Sequence, residues 1–470
     1  MTKKKTHISK PFAAIVLAAG LGKRMKSDLP KVLAQVAGKP ILTHIIKTLD
    51  LLTPTSISIV IGHKGELIKE ATASLSTTSA IIYSVQKEQK GTGDAARVGL
   101  ESLKDFSGII LILPGDAPLI SSQTLSELIN FHETEKATLS FLSFPANNPS
   151  GYGRIIRDSK DVVLEIREEK DCSDIQRKIT EVNSGIYIVD SFFLEPALNG
   201  LNSNNAQGEL YLTDIVARAI KEGQHVAACC LDRETEFLGI NSQAQLSMVN
   251  KIANQNKIEQ LLEAGVIIKD PLSLYLDDDV TVGSGTKIGP NVQLLGNTKV
   301  GNNVVIEGSA FILDSTIEDQ ATLKFSLRLE GALIGKRSSV GPFAHLRPGA
   351  ILDEEVKIGN FVEIKKTYLK KGAKASHLTY LGDTEVGENA NIGAGTITCN
   401  YDGHEKFKTI IGDGAFIGSN TSLIAPVNIG ARAVIGAGSA ITKDVAADSL
   451  ALTRSEQKTI EGWSKKKAKH

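Results

Sequence analysis

The chain has 470 residues, and its 53 Lys and Arg are balanced by 53 Asp and Glu. That length exceeds one ordinary core, so two or three domains are expected, and the absence of net charge gives no support to a general nucleic-acid or membrane-surface binder. No apolar run approaches the roughly 20 residues of a membrane-spanning helix, and Cys172, Cys229, Cys230 and Cys399 form no CxxC pair, which disfavours a disulfide framework or a thiolate zinc site and fits a reducing, cytoplasmic home.

In chain order, the first segment of interest is AAIVLAAGLGKRM, Ala13 to Met25, behind the basic start MTKKK. A positive start followed by Phe12 to Ala19 has the outline of an export signal. The run also reads as a buried strand ending in a loop with Gly20, Gly22, Lys23 and Arg24, where glycines let backbone N–H groups approach an anion and cations neutralise it. FAAIVLAA, SISIVIG (56–62), GIILILPGD (108–116) and GIYIV (185–189) are β-rich runs. Between them lie the helical patterns ILTHIIKTLDLL (41–52) and SSQTLSELINFHETEK (121–136), the second with Ser121 or Ser122 as N-cap. Near-continuous apolar strands alternating with helices predict a mainly parallel sheet covered on both faces, a class that binds nucleotides at strand C-terminal ends.

After the helical LSMVNKIANQNKIEQLLEAG the pattern changes to a six-residue beat. Val282, Ile288, Leu294, Val300, Ile306 and Ile312 begin it, Ile334 to Ile364 repeat it, and Ile411 to Ile441 repeat it again. A hexapeptide period marks a parallel β-helix, each repeat forming one side with its aliphatic residue pointing inward. Breaks in phase near 318–328 and 366–401 are expected to be loops leaving the coil, and the terminal KKKAK a solvated tail.

The motifs LAAGLGKRM, DLPKVL, QKGTGDA, PGDAPLI, GYGRI, EEKD, NSGIY and GIN, followed by FAHLRPGA, FVEIKK, SHLTYLGD, NIGAGTITCNYDG, FIGSN, IGAGS and LALTR, span nearly the whole chain. In that order they resemble the bacterial family that is both glucosamine-1-phosphate N-acetyltransferase and N-acetylglucosamine-1-phosphate uridylyltransferase. The resemblance implies a Rossmann-like α/β nucleotide-binding domain over residues 1–243, a connecting helix over 244–264 and a left-handed parallel β-helix of hexapeptide repeats over 265–470. It makes Ala13 to Met25 a strand and loop rather than an export signal. It also implies two-step synthesis of UDP-N-acetylglucosamine for cell-wall and lipopolysaccharide building, from acetyl-CoA, UTP and the two sugar 1-phosphates, by a cytoplasmic homotrimer that binds neither nucleic acid nor membrane. Two readings compete: a single-activity sugar-1-phosphate nucleotidylyltransferase with a structural β-helix, and a non-enzymatic β-helical surface protein.

The family's roles carry over residue by residue. Leu17, Ala18 and Gly20 match the nucleotide cradle, Lys31 the phosphate contact, and Gln86, Gly91 and Thr92 the uracil contacts. Asp116 and Asn241 match magnesium ligands, hard oxygens suited to a metal that keeps several waters. Gly151, Glu168 and Asn183 match the sugar side, and Arg24 supplies a further cation. Uridylyl transfer joins two anions, so neutralisation and alignment must supply most of the rate. Lys23 departs from the Thr of many relatives and lacks the hydroxyl found there, whereas the backbone cradle is kept. For acetyl transfer, the attacking amine must lose a proton, and His377 matches the base. Arg347, Lys365 and Tyr380 match the sugar-phosphate contacts, Asn391, Asn400 and Tyr401 the sugar and amine side, and Ala394, Ser419, Ala437 and Arg454 the acetyl-CoA groove. Ser376, commonly Gly in relatives, raises the question of a left-handed backbone beside the base. His345 is a neighbour without an assigned role.

Overall fold

The computed structural model describes residues 10–20 and 22–464. The basic start, the KKKAK tail and the Lys23 side chain lie outside what is described. The chain divides into two compact units, Met1–Ala253 and Asn254–His470, and the helix Gln243–Glu263 contains the division.

The first unit is built on a sheet whose strands lie in the order Val226–Cys230, Leu139–Pro145, Glu181–Asp190, Ile109–Pro114, Phe12–Leu17, Ser56–Ile61 and Ala80–Val85. Alternate residues of one strand feed opposite layers, as a period of two requires. Phe12, Ala14 and Val16 pack with the helix Ile41–Asp50, whereas Ala13 and Ile15 pack with the helix Thr92–Glu101. The helix Ser122–Glu135 starts where its cap residue predicts, since the Ser121 hydroxyl accepts from the Thr124 N–H at 3.1 Å.

The sheet is mainly parallel, as expected, and its antiparallel part is one central strand with the hairpin that pairs with it. Glu181–Asp190 runs antiparallel to both neighbours. The chain reaches it through the hairpin Arg154–Arg157 and Val163–Arg167 rather than a crossover helix, and an antiparallel neighbour needs no crossover. Leu17 pairs with Pro114 at the carboxyl ends of two central strands, which sets the glycine loop beside Asp116.

The second unit is a parallel β-helix. Its aliphatic ladder, from Leu274 and Ile288 to Ile435 and Ile441, forms one buried core. Successive turns take 18 residues (Lys287 pairs with Val305) or 17 (Val305 pairs with Thr322). The expected loop at 318–328 is therefore absent. Thr322–Leu323 and Leu327–Glu330 stay in the coil, and the phase break is a turn one residue shorter. Most of 366–401 is regular as well. Only the turn from Thr384 to Thr409 is long, at 25 residues, and the extra chain leaves the coil after Asn400, with an antiparallel bridge from Tyr401 to Lys406. A period-six reading registers any change of spacing as a break, whether residues are lost or gained.

Candidate functional site

At the carboxyl ends of Phe12–Leu17 and Ile109–Pro114 lies a cavity of about 550 Å³. It is lined by Leu17, Ala18, Gly20, Arg24, Lys31, Gln86, Gly91, Thr92, Asp116 and Asn241, all ten expected on the nucleotide side. The Ala18 N–H donates to Val60 O at 2.9 Å, and a Cβ on Gly20 would meet nothing within 4 Å, leaving space above the backbone. Gly91 must be glycine. Its φ is +112°, and a Cβ there would sit 2.5 Å from Leu210 O.

The Lys31 ammonium bridges two oxygens, ion-paired to Asp116 Oδ2 and donating to Asn241 Oδ1 at 3.0 Å. Both oxygens thus address one point that holds a positive charge. Among the described residues no group of three or more His, Cys, Asp or Glu could hold a metal. A divalent ion at this pair would complete its shell with phosphate oxygens and water, as a hard cation that dehydrates reluctantly does. The donor set fits.

A second cavity of about 240 Å³ shares Arg24, Asp116 and Asn241 with the first and adds Gly151 and Tyr152. Glu168 and Asn183 line neither cavity. They meet instead at Gly153, whose carbonyl accepts from the Asn183 N–H at 2.9 Å and whose Cβ position is 3.6 Å from Glu168 Oε1. Burial holds the Glu168 carboxyl above the usual range, Thr213 partly offsets this by donating to it, and Asp214, Asp171 and Glu209 add to the rise. Sequence reasoning missed Gln89 and Glu209, which also line the larger cavity. Gln89 has a signal, lying two residues before Gly91 in QKEQKGTGDA, while Glu209 is brought in from a distant loop.

On the β-helix the expected residues form separate groups. Arg347 donates to Glu363 at 2.9 Å, and Glu363 pairs with Tyr380 on the next turn. The Tyr380 hydroxyl and the Asn400 amide both lie over Gly382, where a side chain would collide with them, and Asn400 donates to Asp383 at 2.5 Å. Lys365 belongs to this corner. The Lys406 ammonium beside it, then burial and Arg347, hold it below its ordinary pKa, with Asp383 opposing. Asp383 and Lys406 are therefore further members, Asp383 because it follows Gly382, the register partner of Lys365, and Lys406 because the long turn brings it in.

His377 is exposed, inside the strand Lys374–Gly382 and just before its left-handed residue Leu378. Its Nδ1 is 2.8 Å from Asn360 Oδ1, and Asn360 is its partner one coil turn earlier. A carboxamide oxygen only accepts, so Nδ1 carries the proton and Nε2 keeps its lone pair. Asn360 was legible only through the turn length of 17. The question raised by Ser376 is answered by the backbone. Ser376 lies in the extended strand Lys374–Gly382, and the left-handed residue is Leu378, at φ +41°. Ala394, Ser419 and Ala437 follow His377 along the same corner, with Asn420 N–H bonded to Ala394 O and Gly438 N–H to Ser419 O; the Cβ position of Gly438 is 4.0 Å from the Arg454 chain. Asn391 sits on the face that leads into this corner, paired with Lys374 of the His377 strand and with Phe416. Tyr401 is exposed in the outgoing loop, its hydroxyl donating to Gly403 O. One chain therefore does not gather the acetyl-side residues around a single point. His345 contacts Glu330 at 3.4 Å.

The nucleotidyl transferase family profile matches residues 13–236, that of the GMPPB C-terminal domain residues 272–368, and that of the hexapeptide repeat of succinyl-transferase residues 408–443. Among full-length relatives, the bifunctional protein GlmU of Pseudoalteromonas atlantica is 45% identical over 97% of this chain and 98% of its own. The GlmU proteins of Pelobacter propionicus and Streptococcus agalactiae are each 43% identical, over 96% and 97% of this chain and 97% and 98% of their own. With a nucleotidyl transferase unit, a hexapeptide coil and relatives matched from end to end, the chain belongs to the GlmU family of bifunctional transferases.

Proposed function

We propose that the chain makes UDP-N-acetylglucosamine in two steps, acetyl transfer from acetyl-CoA to glucosamine 1-phosphate and uridylyl transfer from UTP to the acetylated product. The observation that carries the reading is the larger of the two cavities at the strand ends, lined by ten of the residues expected on the nucleotide side. In the first unit, an oxygen of the sugar phosphate attacks the α-phosphorus of UTP and pyrophosphate leaves. Arg24, Lys31 and the loop N–H groups offset the combined negative charge. Asp116 and Asn241 would hold Mg²⁺, which when bound neutralises phosphate charge and aligns the reacting groups.

In the second unit, His377 Nε2 takes the proton that the sugar amine loses as its nitrogen bonds to the thioester carbonyl carbon, and the CoA thiolate leaves. Arg347 and Lys365 hold the phosphate, and the small residues Ala394, Ser419 and Ala437 let the pantetheine lie against the coil. The acetyl site is shared between subunits of a homotrimer. Support comes from the distribution of its residues: Asn391 on one face, His377 at a corner and Lys365 beyond the next strand segment, up to roughly 16 Å of extended chain away. Among the described residues no helix is long and apolar enough to cross a membrane, and the four cysteines are free thiols, in keeping with a cytoplasmic enzyme.

The test is to withhold acetyl-CoA and UTP in turn from the purified protein. Without acetyl-CoA, it should make UDP-N-acetylglucosamine only from pre-acetylated sugar phosphate; without UTP, it should stop at the acetylated sugar phosphate. Uridylyl transfer without any acetyl transfer would favour the single-activity reading.

A further inference from the structure

In the cavity wall, Gln86 is buried at 4% exposure, and among the described residues its carboxamide is held from its nitrogen end. Its Nε2 donates to Asp94 Oδ2 at 2.8 Å and to Gly91 O at 3.3 Å. Both partners are acceptors, so the nitrogen must face them and Oε1 is the end left to meet a ligand. Asp94, 3% exposed in the first turn of the helix Thr92–Glu101, is itself held: Arg97 Nη2 donates to its Oδ1 at 2.5 Å, and Arg97 Nη1 reaches Glu101 at 3.3 Å. Burial alone would raise the Asp94 carboxyl, but the Gln86 amide and the Arg97 guanidinium outweigh it and keep the carboxyl below its usual range. It therefore stays an acceptor at neutral pH.

We propose that Asp94, clamped by Arg97, is a positioning residue that sets base selectivity by fixing the Gln86 carboxamide with its oxygen toward the nucleotide. Uracil presents an N3–H donor, which a fixed oxygen accepts. Cytosine presents an unprotonated N3, which the same oxygen repels. A freely rotating glutamine would serve both bases, so the discrimination arises from the buried pair and not from Gln86 alone. This rests on the reading that Gln86 meets the base.

Asp94→Asn is the informative variant. Arg97 keeps the oxygen of the new carboxamide, so the carboxamide nitrogen falls where Oδ2 was and confronts the Gln86 nitrogen. The Gln86 amide then turns over and offers N–H to the base. Pyrophosphate release would be measured with N-acetylglucosamine 1-phosphate and either UTP or CTP, alongside direct binding of each nucleotide. The kcat/KM ratio for UTP over CTP should fall at least about tenfold, because a site built for one hydrogen-bond pattern discriminates strongly against its opposite. Asp94→Ala, which removes the acceptor without adding a donor, should lie between the wild type and Asp94→Asn. Acetyl transfer by the same preparations monitors intact protein. An unchanged ratio with both nucleotides weakened alike, or identical ratios for the two variants, would overturn the proposal. Gln86→Ala separates the two levels. If it leaves both nucleotides unaffected, the base-contact reading fails; if it weakens UTP while Asp94→Asn keeps the wild-type ratio, only the clamp fails.

Discussion

Replacing Asn360 with alanine tests how the candidate base is prepared. The bond to remove joins Asn360 Oδ1 and His377 Nδ1 at 2.8 Å, between a half-buried asparagine and an exposed histidine. A hydrogen bond of this kind contributes a net of about 0.5–1.5 kcal/mol, and at about 1.36 kcal/mol per tenfold its loss slows acetyl transfer by roughly 2- to 12-fold. Exposure favours the lower end, since water can replace the lost acceptor. The effect is thus well short of the roughly 10² to 10⁴ expected for His377→Ala. Asn360→Asp gives the sharper readout. A carboxylate against Nδ1 stabilises the imidazolium, so the histidine needs a higher pH to become a base and the acid limb of the kcat/KM profile moves to higher pH. Acetyl-CoA consumption followed by thiol release across pH, with uridylyl transfer as the control, decides the matter. A pH profile unmoved by Asn360→Asp, or an Asn360→Ala variant as slow as His377→Ala, would refute the reasoning.

Asp116→Asn should abolish uridylyl transfer and spare acetyl transfer, because it removes the charged member of the oxygen pair around Lys31; equal loss of both activities in a folded variant would count against the metal assignment. Gly91→Ala forces a side chain into a left-handed backbone against Leu210 O and should cost about 1–3 kcal/mol of stability, seen in the first unit's melting, together with a raised KM for UTP. Lys406→Met removes the main cause of the lowered Lys365 pKa, so the alkaline rise in KM for glucosamine 1-phosphate, where Lys365 loses its charge, should move to higher pH than in the wild type. Co-assembled His377→Ala and Arg454→Ala subunits should regain acetylation that neither has alone; proven hybrid trimers without activity would exclude a shared site.

What the sequence disclosed depended on the range of the interaction. The strand before Gly20 and the hexad ladder were legible because a run of buried aliphatic residues repeats along the chain itself. Ser121 was legible as a cap because its partner is three residues away. The antiparallel run of Glu181–Asp190 was not, since strand direction depends on how the chain returns and not on which side chains it carries. The residues lining the first unit's cavity were named from motifs, yet the bridge from Lys31 to Asn241 spans 210 positions, and only the fold reveals that Asp116 and Asn241, proposed to hold the metal, both meet the Lys31 ammonium. Asn360 and Lys406 were hidden for a related reason. A coil converts a separation of 17 or 25 residues into adjacency, and a six-residue reading cannot tell which turns are short or long.

The coil also carries a good deal of idle length. Four turns, from Leu274 through Val292, Ala310 and Leu327 to Ala344, precede Arg347 and hold none of the residues assigned to acetyl transfer. Because each turn packs chiefly on the one before and the one after, such turns behave as interchangeable spacers. Excising one whole turn, residues 292–309, would let Leu274 pair directly with Ala310 and shorten the column by roughly 4.8 Å, with the apolar ladder still continuous. The height at which the acetyl chemistry stands along the column is thus a quantity that mutation can change in whole steps, independently of the chemistry.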